Sequence, residues 1–406
     1  MKIKSIFLIV LIFIGLIGVL TKSVTVKLSI NKISETDNWG PPETSGMNYF
    51  HVSNTNEFSV VKKITPAENE ILQETCGYVK RNHLEPDEIP EDEDINILSK
   101  RNIFNGTDFE RRGGFNAIAY AKGKVPEGTA PWAVAIGMRY SASCTGSIIS
   151  PYHVLTAAHC LFKYKMATTN CVGEKIINLD INTRIYYGGT CLKKSVDMLC
   201  KTATVKEKRI RRVSYNYVYH LNLCGYGSDV AIIEVESPFK FDEMTQPICL
   251  PSPLFDEKVN IGPKEIIHNL GFGKTELNMT SVYLRRGKSL LCDENAESNN
   301  VKTVFSNGIL CMRSCNTSDN IDCFGFDNMR TGICKGDSGG PDYIRMNNVT
   351  NPNDQRYMII GIHSSGNECT PEDLKAKVYH NSVKVSYHVK EICWLTGICP
   401  ESKKNQ

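Results

Sequence analysis

The sequence contains no dense basic block, no second long apolar stretch beyond Leu20, no internal repeat, no heptad run and no Cys-x-x-Cys pair. With a formal net charge of only +3 and no basic cluster, the chain lacks the electrostatic footprint of a nucleic-acid binder. A single apolar stretch excludes a multi-pass membrane protein. Glycine (30) and proline (17) stay far below the ~25–30% that marks low-complexity disorder, so a collagen and a wholly disordered chain are excluded as well. What is present is length and cysteine. The 406 residues, 41% of them hydrophobic, can fill a sizeable core, and they allow two or three domains or one large domain with a leader and insertions. Sixteen cysteines are too many for an ordinary cytosolic enzyme and too sparse for a scaffold held by disulfides alone. The combination implies a secreted globular domain with a core and several bridges.

The N-terminus agrees with this. Lys2 and Lys4 precede an apolar run from Ile6 to Leu20 that reaches about 22 Å at ~1.5 Å per residue, short of a ~30 Å bilayer core. Residues 1–23 therefore read as a signal peptide, with an uncleaved anchor as the alternative because no small-x-small site follows. Asn105, Asn278, Asn316 and Asn348 each begin an N-x-S/T sequon that can carry a glycan in a secreted chain, although such tripeptides also arise by chance. Residues 24–112 are polar and poor in strand pattern. Glu85 to Asp94 holds seven acids and two prolines, which fits a solvated linker better than an acidic binding site. One cysteine, Cys76, lies in this pro-region and needs a distant partner.

From Pro131 onward the pattern changes to short alternating apolar runs, AVAIGMRY, GSIIS, VAIIEV, IIGIHSS and KVYH, separated by Gly, Asn and Ser. Period two with β-branched residues predicts an all-β barrel or sandwich over residues 113–399, followed by a polar tail at 400–406. Val385, Val389 and Ile392, three to four residues apart, predict one amphipathic helix across Val383 to Leu395.

Three segments carry complementary chemistry. GDSGGP places Ser338 among glycines, so the chain can turn tightly and the N–H groups of Gly336 and Ser338 can form an oxyanion hole. A serine hydroxyl needs a general base, and TAAHC supplies His159. The imidazole needs a carboxylate to fix its tautomer, and SDVAIIEV supplies Asp229 at the start of a strand. A lone His or Asp is more often structural, but six particular residues in a row after the other two are not a chance match.

Through APWAV, TAAHC, SDVAII, PICLP, GDSGGP, GIHSSG and KVYH the chain resembles the trypsin- and chymotrypsin-like serine endopeptidases over roughly Ala130 to Leu395. The ENEILQETCG stretch is also similar to trypsin-like proteins of nematodes. The resemblance implies two six-stranded antiparallel β-barrels with a C-terminal helix and a cleft between the barrels. It implies acyl-enzyme hydrolysis of a polypeptide substrate, with His159 as base then acid, Asp229 orienting it, Ser338 as nucleophile and no cofactor. Bridges are implied for Cys144 with Cys160, Cys292 with Cys311, Cys334 with Cys369, and Cys76 with Cys249. Cys171, Cys191, Cys200, Cys224, Cys315, Cys323, Cys393 and Cys399 have no assignment, and no metal ligand is assigned.

The chain departs from that family in two respects. No Ile-Val-Gly-Gly terminus occurs for Asp337 to pair with. The nearest dibasic site, Arg111 and Arg112, lies further upstream of Pro131 than the family spacing, which falls at Ala119 without a basic residue in front. Activation therefore either frees an atypical terminus after Arg112 or follows another route. At the pocket, Gly332 stands at the floor position where the family's Asp selects Lys or Arg. Gly366 leaves the wall open, Ser365 replaces a Trp, and Ser364 matches the serine that supports the triad carboxylate. Lys377 replaces a glycine, where it can pair with an acidic substrate side chain, fill the space or swing out to solvent. The reading is a secreted, extracellular zymogen of a serine endopeptidase that is not Lys/Arg-selective, with an activating protease and serine-protease inhibitors as further partners. The alternatives are a non-catalytic homologue acting as a binding or regulatory module, and a disulfide-linked matrix protein.

Overall fold

The computed structural model describes residues 49–53, 62–79, 125–165, 174–177, 182–193, 202–216, 219, 226–255, 261–262, 265–274, 281–292, 308–313, 333–346, 356–366 and 379–400, with backbone alone at 49–53, 162–165 and 174–177. Strand β1 (Tyr49–Ser53) and helix α1 (Pro66–Thr75) come first. The first barrel is built from β2 (Ala133–Met138), β3 (Ser141–Ile148), β4 (His153–Thr156), β7 (Arg184–Tyr187), β8 (Lys206–Asn216) and β9 (Ala231–Val235). Its strands run in the order β8-β7-β2-β3-β4-β9, and β9 pairs back onto β8 to close the ring. The 11-residue β8 makes closure possible, because its first half pairs with β7 and its second half, past an irregularity between Ile210 and Arg212, pairs with β9. Between β4 and β7, β5 (Phe162–Lys165) and β6 (Glu174–Ile177) form a separate two-stranded ladder.

The second barrel is a closed ring of β10 (Ile267–Gly271), β11 (Arg285–Leu291), β12 (Ile309–Arg313), β15 (Tyr379–Lys384), β14 (Tyr357–Gly366) and β13 (Pro341–Arg345), in that order and antiparallel throughout. Two six-stranded antiparallel barrels are thus present, as expected. Trp132, fully buried just before β2, joins them by packing its ring 5.4 Å from both Tyr343 of β13 and Tyr357 of β14.

Helix α2 (Val385–Thr396) closes the chain with Val385, Val389, Ile392 and Leu395 buried. Val383 belongs to β15 rather than to the helix, and Gly397 ends α2 in the left-handed region at φ 77°. The Cys393–Cys399 disulfide spans that turn.

The upstream segment is more structured than its polar composition predicts. Residues Tyr49–Ser53 add β1 to the edge of β8, with Tyr49 opposite Asn216 and Ser53 opposite Arg212. Thr65 caps α1 through a reciprocal box with Glu68, and Ile64 and Leu72 are buried. Cys76 is buried as well, and hydrogen bonds supply further docking contacts. Ile64 donates its N–H to the Thr396 carbonyl at 2.8 Å, and the Asn69 side chain exchanges two hydrogen bonds, both 3.0 Å, with the backbone of Cys399. Arg356 donates to the carbonyls of Gln73 and Cys76 at 2.7 and 3.0 Å, beside the Cys76–Cys249 disulfide. Gly77 sits at φ 73° where any Cβ would fall 2.3 Å from the Tyr357 carbonyl oxygen, so only glycine fits. The signal peptide, the acidic run, Arg112 and all four sequons lie outside the described residues.

Candidate active site

The candidate triad residues come from the ends of regular elements. β4 runs into a 3-10 turn, Ala158–Leu161, that carries His159, and the Cys144–Cys160 disulfide fixes this turn to β3. Asp229 follows a second 3-10 turn, Tyr226–Ser228, immediately before β9. That turn is held from the far end of the chain: buried His388 of α2 donates its Nε2–H to the Gly227 carbonyl at 2.6 Å. Ser338 occupies the turn leading into β13.

Asp229 is buried and accepts three hydrogen bonds. The His159 backbone N–H reaches Oδ1 at 2.8 Å, His159 Nδ1 reaches Oδ2 at 2.7 Å, and the Ser364 hydroxyl of β14 reaches Oδ2 at 2.6 Å. Nδ1–H is therefore the donor that Asp229 selects, which leaves Nε2 with its lone pair, the tautomer that a general base requires. Burial disfavours the imidazolium, but the charge and hydrogen bond of Asp229 outweigh it, and the His159 pKa is raised above its ordinary value. Only 23% of the His159 side chain is exposed, and 3% of that of Asp229.

The turn that carries Ser338 is shaped by close backbone approaches. Gly336 has φ 105° and Gly339 has φ 80°. A Cβ on Gly339 would fall 2.1 Å from Thr156 Oγ1 and 2.4 Å from the Thr145 carbonyl oxygen. The Gly339 N–H donates to the His363 carbonyl, and the Gly340 N–H to the Asp337 carbonyl. The N–H groups of Gly336 and Ser338 have no hydrogen-bond partner among the described residues, as an oxyanion hole requires. The turn is also tied to the first barrel through a residue the sequence reading missed. Thr145 of β3 donates its N–H to the Ser338 carbonyl at 2.8 Å and its hydroxyl to the Gly336 carbonyl at 3.0 Å, while Thr145 Oγ1 accepts from the Phe272 N–H.

Behind Ser338, Asp337 is fully buried. Its carboxylate accepts from the Gly273 N–H at 2.7 Å and the Cys334 N–H at 2.8 Å, and a Cβ on Gly271 or Gly273 would collide with it. Burial pushes its pKa up to about 6, against the pull of these two hydrogen bonds. Among the described residues no cation forms an ion pair with it.

The structure thus brings His159, Asp229 and Ser364 into one hydrogen-bonded group and holds Ser338, Gly336 and Asp337 in one turn. Gly366 is exposed at the end of β14, where a Cβ would fall 3.2 Å from His380 Cβ. Gly332, Lys377 and Cys369 lie outside the described residues. Cys334 is disulfide-bonded, and the Cys76–Cys249, Cys144–Cys160 and Cys292–Cys311 pairs are all formed. Among the cysteines without a sequence assignment, Cys393 pairs with Cys399 and Cys191 is also bridged.

Two closed antiparallel barrels with a terminal helix, and a His-Asp-Ser-bearing set of turns at strand ends, define the chymotrypsin class of fold. The trypsin family model matches residues 122–387, and the chain belongs to that family. The match starts downstream of ENEILQETCG, so the nematode affinity read in that stretch gains no support.

Proposed function

We propose that the protein is a secreted serine endopeptidase made as a zymogen. His159 takes the proton of Ser338 Oγ as that oxygen attacks the scissile carbonyl, and the new C–O bond pushes charge onto the carbonyl oxygen. The N–H groups of Gly336 and Ser338 receive that charge. Collapse of the intermediate breaks the C–N bond, His159 protonates the leaving amine, and water then hydrolyses the acyl-enzyme by the same route. Asp229, fixed by Ser364, holds the imidazole in register and stabilises the imidazolium.

The observation that carries this reading is the hydrogen-bonded chain from Ser364 through Asp229 to His159. This chain fixes the His159 tautomer through Nδ1–H and leaves Nε2 free to take a proton, which is the arrangement a general base needs. Family membership implies polypeptide substrates. The Gly332 floor argues against Lys/Arg selection, and Lys377 is the residue to examine for acidic substrates. The apolar leader and the bridged cysteines support an oxidising, extracellular setting.

One observation favours a non-catalytic binding module instead: no Ile-Val-Gly-Gly terminus is present to neutralise Asp337. A peptide library separates the two. The full chain, cleaved with trypsin and sequenced at its new N-terminus, turns over peptides that Ser338→Ala does not. No turnover in any cleaved form contradicts the protease reading. An Asp or Glu preference that survives Lys377→Gly removes Lys377 from specificity.

A further inference from the structure

The second barrel contains a buried cluster that the triad does not use. Asp342 of β13, His363 of β14 and His380 of β15 come from three adjacent strands, and each is at most 4% exposed. One ligand atom from each lies within 4.8 Å of the others. Asp342 Oδ1 is 2.9 Å from His363 Nε2 and 3.5 Å from His380 Nε2. Around a tetrahedral zinc with bonds of ~2.0–2.2 Å, neighbouring ligand atoms stand about 3.3 Å apart, so these separations bracket the required value.

The neighbouring groups match the outer shell that a metal-bound histidine and carboxylate need. A metal-ligating histidine donates its other ring N–H to a carbonyl or carboxylate, and His363 Nδ1 faces the Asp337 carbonyl at 3.1 Å. Asn269 donates to Asp342 Oδ1 and is itself held by the Ser289 hydroxyl at 2.7 Å, which fixes the carboxylate as outer-shell partners do. Two oxygens are left over. Asp342 Oδ2 and Ser382 Oγ are buried without a hydrogen-bond partner among the described residues. Gly361 lies against both residues, since a Cβ there would fall 2.7 Å from Asp342 Oδ2 and 3.0 Å from Ser382 Cβ. A buried carboxylate oxygen without a partner is unusual, and a cation bound through both oxygens of Asp342 would supply one.

We propose that Asp342, His363 and His380 supply three ligands of a zinc site in the core of the second barrel, with Asp342 bidentate or a small ligand completing the tetrahedron. Two imidazoles and one carboxylate suit zinc rather than calcium or magnesium, which take oxygen ligands. The ion would crosslink β13, β14 and β15. Through His363 it would also hold the Asp337 carbonyl, and with it the turn that carries Ser338.

The test uses the full chain with His159→Ala and Ser338→Ala, so that the active-site imidazole cannot supply metal. Protein expressed with zinc, and protein refolded with zinc under oxidising conditions, is gel-filtered and its zinc measured. The expected result is about one zinc per chain, with little or none in His380→Asn. Saturating zinc at ~100 times its Kd should raise Tm by roughly 5–10 °C for a barrel pair of this size. Zinc K-edge absorption of the chain with all three ligands intact reads the ligand set without relying on a variant that folds. It should show nitrogen and oxygen donors including imidazole. Absence of retained zinc in both preparations, undiminished zinc in a folded His380→Asn chain, or sulfur ligation would overturn the proposal.

Discussion

Replacing His388 by glutamine should flatten the acid limb of stability. His388 is fully buried in α2, and its Nε2–H meets the Gly227 carbonyl at 2.6 Å, so the neutral ring is the form the fold accepts. Burial pushes its pKa down from 6.5 to about 4, with the Gly227 hydrogen bond only partly opposing the shift. The unfolded chain therefore takes up a proton as pH falls through about 6.5, while the folded chain stays neutral until about 4. Stability attributable to this residue is intact above about pH 6.5, is lost as pH falls through that window, and changes no further below about 4. At about 1.4 kcal/mol per pH unit, the loss reaches roughly 3 kcal/mol, a sizeable share of a typical 5–15 kcal/mol total. His388→Gln keeps an N–H to offer Gly227 but does not titrate. Urea unfolding of both proteins in a Ser338→Ala background, from about pH 7.5 to about 4.5, reads the difference. His153, held down at about 3 by its own burial, and the carboxylates titrate in both proteins and cancel. The variant should gain on the parent by about 2–3 kcal/mol on acidification. Parallel stability curves would refute the assignment of a buried neutral His388.

Ser364→Ala removes one of three hydrogen bonds to the Asp229 carboxylate and should lower kcat/KM by about tenfold, with KM little changed in steady-state assays. Because the base must be neutral to act, the raised pKa of His159 should set the acid limb of kcat/KM above the ordinary histidine range in a pH–rate profile, and Asp229→Asn should move that limb down. The Cys76–Cys249 bond should keep residues 62–79 attached after cleavage near Arg112, so the products separate on a gel only after reduction. Replacing both cysteines by alanine should cost about 2–5 kcal/mol of stability by urea unfolding.

The parts of this fold legible in the sequence are those where short-range pattern and function coincide. TAAHC, SDVAII and GDSGGP each place a chemical group at the end of a strand, and the alternating runs around them form barrel strands. Other parts depend on partners far away in the chain. The docking of residues 62–79 rests on backbone groups of Thr396, Cys399 and Pro247 with a few apolar anchors, Ile64, Leu72 and Cys76, so its polar sequence resembles a linker. Thr145 looks like any strand threonine until the register of β3 sets it against Ser338 and Gly336. Asp342, His363 and His380 meet because β13, β14 and β15 are neighbours in the barrel, with register shifts beside Asp342 and His363, and no spacing along the chain announces it. Cys393 and Cys399 carried a readable signal, a Gly397 stop between two cysteines six residues apart, that alone does not distinguish their pairing from others.

The most direct measurement of the central claim is covalent labelling of the nucleophile. The full chain, cleaved near Arg112 and exposed to a fluorophosphonate, should gain one phosphonyl group that peptide mass mapping places on Ser338, with none gained by Ser338→Ala or His159→Ala. Failure of every cleaved form to label, or labelling that persists in Ser338→Ala, would contradict the assignment of Ser338 as an activated nucleophile.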